Sequence, residues 1–273
     1  MDPRTVIFLH VPKTAGTTLN RIIEWQYNPI DIFTMDPYRI RATPERLMQL
    51  PEARRRRLRM VRGHFYYGVH QYLPQESTYI TMLREPVARF LSAYYFLQRR
   101  PLHPMHRKVK SERIGVEDFI RLTPQRQNLQ CSLIAGIKSP GKCEESTLEI
   151  AKENLAKSFS IVGLSERFEE SLMLIAKTFQ WEIPFYENRK VAKTRPKVEA
   201  NAVDMIKEHN RLDLELYEFG KGLFQAKLAE KQKEVNEGLA EFRALPKPSS
   251  VESIYRSTVG AGRFIMTKIA SAV

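Results

Sequence analysis

Short apolar runs alternate with longer amphipathic stretches over most of the chain. Runs rich in β-branched and aromatic residues predict strands, and apolar residues three or four positions apart predict helices. The predicted strands are Thr5–His10, Ile30–Thr34, Leu58–Arg62, Thr78–Arg84 and Phe159–Leu164. The predicted helices are Thr17–Gln26, Val87–Gln98, Val116–Leu122, Gln125–Ala135, Thr147–Lys157, Phe168–Phe179 and Val198–Phe219. This alternation predicts an α/β fold: a P-loop-like parallel β-sheet flanked by helices on both faces.

The C-terminal part of the chain has a different pattern. A charged helix is predicted over Lys227–Phe242, a linker over Pro246–Ser250 and a mildly amphipathic ending over Val251–Val273. A chain of 273 residues with 42% hydrophobic content can bury the core of one large domain. We therefore predict one domain over residues 1–224 and a helical C-terminal extension over residues 225–273.

An anion-binding loop is predicted where the first strand ends. The strand runs into a short loop rich in lysine, threonine and glycine, and a helix follows. Such a turn brings backbone N–H groups and the positive end of a helix dipole to one point, which favours a phosphate. Lysine adds a charge, and the threonines add hydroxyl donors. The candidate binding residues are Pro12, Lys13, Thr14, Ala15, Gly16, Thr17 and Thr18.

A second anion site is predicted after the fourth strand. That strand ends in Arg84, which offers a planar fork of donors, and Ser92 offers a hydroxyl from the helix that starts near Pro86. Arg84 could instead pair with Glu85 or another carboxylate. Neither motif has the Walker A spacing or the acidic strand end that would hold magnesium. We expect one ligand with two phosphate groups, bound without a metal ion.

The two motifs, in this order, resemble those of sulfotransferases that use 3′-phosphoadenosine 5′-phosphosulfate (PAPS). The narrower resemblance is to the carbohydrate type represented by heparan sulfate and uronyl 2-O-sulfotransferases. It extends through Arg62–Gly68, Asn128–Gln130 and Ile161–Phe168, and covers roughly the first 220 residues. The resemblance implies that the first motif binds the 5′-phosphosulfate of PAPS and that the second motif binds its 3′-phosphate.

The implied reaction transfers a sulfuryl group from PAPS, as co-substrate, to an acceptor hydroxyl on a glycan or similar molecule. Lys13 is expected to stabilise the charge on the leaving oxygen, because its loop holds the 5′ group. His64 is the candidate base, since an imidazole titrates near neutrality and Gly63 permits close approach of substrate. The corresponding Gly-His position carries the base in 2-O-sulfotransferases. A structural role for His64, or a base role for His10, is the alternative.

Two other segments contain candidate binding residues. Lys193, Thr194 and Arg195 resemble the basic loop that closes over the nucleotide in related sulfotransferases. Asn128 and Gln130 are candidates to line the acceptor cleft. In a helical region, these two side chains could instead cap or bridge the backbone.

A run of arginines precedes the candidate base. Arg54–Arg57 is followed by Arg59 and Arg62. With Arg59 and Arg62 on one face of the strand that leads to His64, they would guide an anionic acceptor toward the base. A solvated helix end is an equally good interpretation of the run.

The charge balance favours anionic partners without distinguishing among them. The chain has 44 Lys and Arg against 31 Asp and Glu, a net charge of +13. Such a charge attracts nucleotides, acidic glycans, nucleic acids and anionic membranes. One alternative function is therefore a nucleotide kinase or another P-loop phosphotransferase, and a second is a non-catalytic polyanion-binding protein. We expect a glycan-like acceptor and no specific nucleic acid partner.

Cysteine content and hydropathy bear on the cellular compartment. Cys131 and Cys143 are the only cysteines, which is compatible with a reducing compartment. No signal peptide pattern precedes the first strand, and no run of about 18 apolar residues is long enough to span a bilayer. Animal enzymes of the resembled type are Golgi proteins with an N-terminal membrane helix. The sequence therefore predicts a bacterial-type cytoplasmic enzyme.

Overall fold

A parallel five-stranded sheet forms the centre of the described structure. The computed structural model describes residues 4–35, 43–101, 103, 105–138, 142–183 and 198–245, with a few positions between 259 and 271. The strands are β1 (Thr5–Leu9), β2 (Ile32–Thr34), β3 (Met60–Gly63), β4 (Ser77–Leu83) and β5 (Phe159–Leu164). Their order in the sheet is β2-β3-β1-β4-β5, and every pair is parallel. The predicted α/β class is confirmed.

β1 lies at the centre of this sheet and is buried along its whole length. It pairs with β3 on one side and β4 on the other, so that Leu9 lies opposite both Gly63 and Thr81. Parallel strands are covered on both faces, which explains the continuous apolar run in the sequence. Because the strands are parallel and in register, the loops after Leu9, Gly63 and Leu83 meet at one edge of the sheet.

Helices connect and cover the strands. None in the described part of the chain is both long and apolar enough to cross a membrane. Hydrophobic packing brings three of them, Glu145–Ser158, Phe168–Phe179 and Arg211–Glu230, onto β5. The helices are α1 (Gly16–Gln26), α2 (Thr43–Gln49), α3 (Glu52–Arg56), α4 (Pro86–Gln98), α5 (Val116–Leu122), α6 (Leu129–Ala135), α7 (Glu145–Ser158), α8 (Phe168–Phe179), α9 (Ala200–His209), α10 (Arg211–Glu230) and α11 (Gln232–Ala244).

Three predicted helices have different bounds in the structure. The helix predicted over Gln125–Ala135 is interrupted at Asn128, whose φ of 45° is left-handed. The helix predicted over Val198–Phe219 is interrupted at buried Asn210. The amide of Asn210 bonds to the Ile206 carbonyl and to two groups outside its helix, which explains the break. The predicted charged helix begins inside α10 and continues as α11 after an interruption at Lys231.

A small apolar cluster holds α4 in place. Phe90 and Tyr94 of α4 pack with Phe119 of α5 and Ile206 of α9. The Phe90 and Phe119 rings have centroids 5.4 Å apart. Burying side chains of this size stabilises a fold by about 1.5–3 kcal/mol each. The cluster is distinct from the core around the sheet, and it fixes the helix that carries Ser92.

Candidate active site

A cleft of about 680 Å³ lies at the carboxyl edge of the sheet. Its wall includes the residues that follow β1, β3, β4 and β5, namely His10, His64, Arg84 and Ser165. Both predicted anion-binding motifs and the candidate base therefore meet in one cleft. The predicted residues that line it are Pro12, Lys13, Thr14, Ala15, Gly16, Thr17, Thr18, His64, Arg84 and Ser92.

The loop after β1 has the backbone of an anion cradle. Lys13 and Ala15 have left-handed backbones, with φ of 74° and 62°, which turns successive N–H groups inward. The Thr14 hydroxyl is buried and donates to the Val11 carbonyl, at 2.8 Å, so it closes the turn. α1 begins after Ala15 with no side-chain cap and no acidic residue in its first turn. Its N-terminal N–H groups are therefore left to bind an anion.

The N-terminus of α4 differs from that of α1 because it is capped. Glu85 accepts hydrogen bonds from the backbone N–H groups of Val87 and Ala88, at 2.9 and 2.6 Å. The carboxylate thus occupies the positive end of this helix. An anion near α4 has to be bound by side chains, and those that line the cleft there include Arg84 and Ser92.

Arg84 connects the two motifs. Its Nη1 donates to the Lys13 carbonyl, at 3.0 Å, and its Nε lies 3.9 Å from Oε1 of Glu166. The carboxylate beside Arg84 is therefore Glu166, whereas Glu85 caps α4. Only 17% of the Arg84 side chain is exposed, which strengthens its interaction with any anion in the cleft.

Lys13 rests on an aromatic ring at the cleft wall. Its Nζ lies 3.9 Å from the centroid of the Phe96 ring, a cation–π contact. Phe96 follows Ser92 by one helical turn, and both residues line the cleft. The lysine charge is therefore held on the face of α4 that presents the Ser92 hydroxyl.

His64 is held in one tautomer. Its Nδ1 lies 2.6 Å from the carbonyl oxygen of His10, which can only accept a hydrogen bond. In the neutral ring, the hydrogen is therefore on Nδ1, and Nε2 has the lone pair. Burial lowers the pKa of His64 below its ordinary value, although the bond to His10 acts in the opposite direction. His64 is thus neutral at pH 7 and able to accept a proton.

His10 packs between the loop and His64. Its ring stacks on Phe8 with centroids 5.3 Å apart, and it lies 4.2 Å from the centroid of the His64 ring. Its Nδ1 lies 3.2 Å from the Asn20 amide nitrogen. A Cβ placed on Gly16 would lie 2.0 Å from Nε2 of His10, so the ring fills the space of a side chain at that position. These contacts give His10 a packing role that orients the loop after β1.

Asn128 and Gln130 lie behind the cleft wall. The side-chain amide of Gln130 bonds to the backbone N–H and carbonyl of Arg84. The Asn128 carbonyl oxygen Oδ1 accepts from the backbone N–H of Asp213, at 3.1 Å. Neither residue is among those that line this cleft, and the alternative, in which they bridge backbone groups, describes their contacts.

Arg62 and Arg59 do not form the expected guide for an acceptor. Arg62 is only 2% exposed and forms an ion pair with Glu24, at 2.8 Å, while it also donates to the Asn20 carbonyl and the Thr34 hydroxyl. Residues three apart on a strand point to opposite faces. Arg59 precedes β3, at the end of the strand remote from the cleft. The expectation of a shared basic face is therefore wrong.

Four charged residues of the cleft were not among the predicted ones, namely Arg99, Arg100, Arg126 and Glu166. Glu166 accepts hydrogen bonds from the Glu85 N–H and the Tyr217 hydroxyl, at 3.1 and 3.2 Å. Glu166 lies within the Ile161–Phe168 motif, and that motif was the sequence feature from which its place in the site could have been predicted. Arg126 also lines the cleft, and no local pattern distinguishes it from the other arginines.

Other predicted features have no described geometry. Lys193, Thr194 and Arg195 lie outside the described residues. Among the residues that are described, no group of three or more His, Cys, Asp or Glu side chains could hold a metal ion.

A comparison with protein families identifies the chain. The profile of the galactose-3-O-sulfotransferase family matches residues 1–248. This chain belongs to that family. This match confirms the resemblance to carbohydrate sulfotransferases. It also shows that the chain is related to galactose-3-O-sulfotransferases as well as to the predicted 2-O type.

Individual relatives are similar at low identity. Human heparan-sulfate 6-O-sulfotransferase 1 is 26% identical over 184 residues, which are 56% of this chain and 44% of that protein. Heparan sulfate 2-O-sulfotransferase 1 of Gallus gallus is 24% identical over 260 residues, which are 82% of this chain and 71% of that protein. The chain thus spans less than half the length of the human 6-O relative.

Proposed function

We propose that this member of the family is a PAPS-dependent O-sulfotransferase with a carbohydrate acceptor. The observation that carries the proposal is the uncapped N-terminus of α1, with Lys13 beside it and Arg84, Ser92 and His64 in the same cleft. Transfer from a donor with two anionic groups to a hydroxyl requires two anion sites and a base. Membership of the family supports the same class of reaction.

The side chains of the cleft fit PAPS as a substrate. Backbone N–H groups and Lys13 would bind the 5′-phosphosulfate, and Arg84 with Ser92 would bind the 3′-phosphate. Glu166 is the one carboxylate among the described lining residues, and hydrogen bonds from Glu85 and Tyr217 already engage it. The donor set of the cleft is therefore suited to an anionic ligand.

The proposed reaction needs one proton acceptor and one cation. The acceptor oxygen forms a bond to sulfur while the bond between sulfur and the bridging oxygen breaks. His64 accepts the hydroxyl proton at Nε2, and Lys13 stabilises the negative charge that develops on the departing 5′-phosphate. The products are a sulfate ester and adenosine 3′,5′-bisphosphate.

The acceptor class is inferred from relatives and from charge. The names of two relatives specify heparan sulfate, and that of the family specifies galactose. Arg99 and Arg100 also line the cleft, and their positive charges favour an acidic glycan. The cytoplasmic location stays a prediction from the sequence.

Calorimetry with adenosine 3′,5′-bisphosphate, without divalent metal, tests the donor site. Arg84→Ala should weaken binding by about 1–3 kcal/mol. Lys13→Ala should lower both affinity and turnover, because its charge contacts the bound 5′ group and the leaving oxygen. Lys221→Ala is the control, since Lys221 pairs with Glu218 on the surface of α10.

Transfer of labelled sulfate from PAPS to a panel of glycans tests the reaction. Sulfation of a glycan hydroxyl, dependent on His64, is the expected result. Binding of ATP with magnesium in place of the bisphosphate would favour a kinase. Strongly salt-dependent binding with no nucleotide preference would favour a polyanion-binding protein.

A further inference from the structure

Arg126 differs from the fully buried arginines of the described chain in having no carboxylate partner. Arg62 and Arg89 are both fully buried, and they pair with Glu24 and Asp213 at 2.8 and 3.4 Å. Nε of Arg126 is out of contact with solvent and has no hydrogen-bond partner in the described structure. The Arg126 side chain is half-buried, and its cation–π contact with Phe119, at 5.9 Å from the ring centroid, replaces only part of the hydration that burial removes. Arg126 therefore has unused capacity to bind an anion.

The backbone of Arg126 is fixed beside α4. Arg126 ends a 3₁₀ turn, Pro124–Arg126, between α5 and α6. Its N–H donates to the Thr123 carbonyl, and its own carbonyl accepts from Nη2 of Arg89, both at 2.9 Å. Arg89 precedes Ser92 by three residues on α4. The Arg126 side chain, which lines the cleft, is thus anchored to the helix that presents Ser92.

The charge that acts on the Arg126 guanidinium is a like charge, that of Arg89. Burial lowers its pKa, and the nearby Arg89 lowers it further, while no carboxylate acts to raise it. His103 lines the same cleft, and burial and then Arg126 lower its pKa. The electrostatic surroundings of Arg126 therefore favour a negative group from a ligand.

We infer that Arg126 is an anion-binding residue of the cleft, which contacts a phosphate, sulfate or carboxylate group of a bound substrate on the side formed by α4. The identity of that substrate rests on the proposed function. Two sources have this chemistry: the 3′-phosphate of the donor and an acidic group of the acceptor. The guanidinium fork can give two parallel N–H bonds to either group.

The test compares three variants with the wild type. Arg126→Gln removes the charge, Arg126→Lys keeps it, and Arg121→Gln is the control. Arg121 lies five residues away and is exposed, where it pairs with Asp118 at 3.2 Å. Because the described structure gives the Arg126 guanidinium no carboxylate partner and only a cation–π contact with Phe119, at 5.9 Å from the ring centroid, Arg126→Gln should melt close to the temperature of the wild type. A large fall in its melting temperature would instead assign a structural role to Arg126.

Two binding measurements identify the source of the anion. If the source is the donor, Arg126→Gln lowers affinity for adenosine 3′,5′-bisphosphate by about 10- to 100-fold and leaves affinity for adenosine 5′-monophosphate unchanged. If the source is the acceptor, nucleotide affinity stays constant, and the KM for an acidic glycan rises while that for a neutral one does not. In either case, Arg126→Lys should recover part of the lost affinity for the nucleotide or for the acidic glycan.

A third measurement does not depend on the proposed function. Inorganic phosphate should raise the melting temperature of the wild type and of Arg121→Gln more than that of Arg126→Gln. Failure of the wild type to bind the bisphosphate or transfer sulfate would overturn the proposed function and leave this comparison valid. Equal phosphate, nucleotide and acceptor responses in Arg126→Gln and wild type would overturn the role of Arg126.

Discussion

The side-chain amide of Gln130 holds both backbone polar groups of Arg84. Its Oε1 accepts from the Arg84 N–H at 3.0 Å, and its Nε2 donates to the Arg84 carbonyl at 2.9 Å. Gln130 is fully buried, and the backbone N–H groups of Gln130 and Cys131 donate in turn to Asp213 on α10. The position of the arginine at the cleft thus depends on a glutamine that does not line it.

Gln130→Ala should therefore weaken the donor site without removing any of its charges. The backbone groups of Arg84 lose their partners, and we expect the free energy of unfolding to fall by about 1–3 kcal/mol. Affinity for adenosine 3′,5′-bisphosphate should fall as well, because Arg84 is no longer fixed. Gln127→Ala is the control, since Gln127 bonds only to the Ile120 carbonyl through its side chain. Unchanged nucleotide affinity in Gln130→Ala would show that Arg84 does not need this support.

Substitution of His64 should affect turnover more than binding. His64→Ala removes the Nε2 lone pair, and we expect kcat to fall by about 10²–10⁴-fold while donor affinity stays close to that of the wild type. Sulfate transfer and calorimetry measure the two effects separately. His70→Gln is the control, because His70 bonds to the Tyr79 hydroxyl and does not line the cleft. Wild-type turnover in His64→Ala would direct attention to His10.

The pH dependence of turnover should report the lowered pKa of His64. A base works in its neutral form, which predominates above its pKa, and burial lowers that pKa below its ordinary value of about 6.5. We expect kcat/KM to be constant from pH 8 to about pH 6.5 and to fall at lower pH as His64 is protonated. The profile of His64→Gln should lack this acidic limb. A limb centred above pH 6.5 would contradict the assignment.

Gly16→Ala should strain the contact between the loop and His10. The new Cβ would lie 2.0 Å from Nε2 of His10, and the ring cannot move freely because it stacks on Phe8 and packs against His64. We expect a loss of about 1–3 kcal/mol in the free energy of unfolding. In a His10→Ala background, Gly16→Ala should lower the free energy of unfolding by less. A double-mutant cycle measures this difference.

A control for that cycle is Gly222→Ala on α10. Apart from the backbone of its own helix and its chain neighbours, no atom of the described residues lies within 4 Å of a Cβ at Gly222, so alanine should stabilise this helix by about 0.5–1 kcal/mol. If Gly16→Ala lowers the free energy of unfolding equally with and without the His10 ring, the clash with His10 is not the cause of the lost stability.

Arg62→Met should destabilise the fold and leave acceptor binding unchanged. The substitution removes the buried partner of Glu24 and leaves it only the exposed Arg21, at 3.4 Å, so the cost is up to about 3–5 kcal/mol. Chemical denaturation and the KM for the acceptor separate stability from binding. Glu24→Gln combined with Arg62→Met should recover part of the stability, because no charge is then left unpaired. A raised KM with unchanged stability would return Arg62 to the acceptor site.

The sequence by itself determined the class of the fold and the position of the cleft. Parallel strands are buried on both faces, so β1 is an almost continuous apolar run, and β4 is rich in β-branched, aromatic and aliphatic residues; both can be located without knowing their neighbours. Parallel strands also end at a common edge. The residues after them, among them Lys13, His64 and Arg84, therefore meet there whatever the details of packing.

Only the tertiary structure decided which polar side chains serve the cleft and which support it. Arg62 has the same local pattern as a surface arginine, and its ion pair with Glu24 joins residues 38 positions apart. Gln130 reaches back 46 positions to Arg84. Arg126 lines the cleft, and no carboxylate in the described chain pairs with it. A polar side chain can be buried only where another group forms the hydrogen bonds that water would otherwise form. In this chain that group lies on a distant segment, so the local hydrophobic pattern of the sequence does not reveal it.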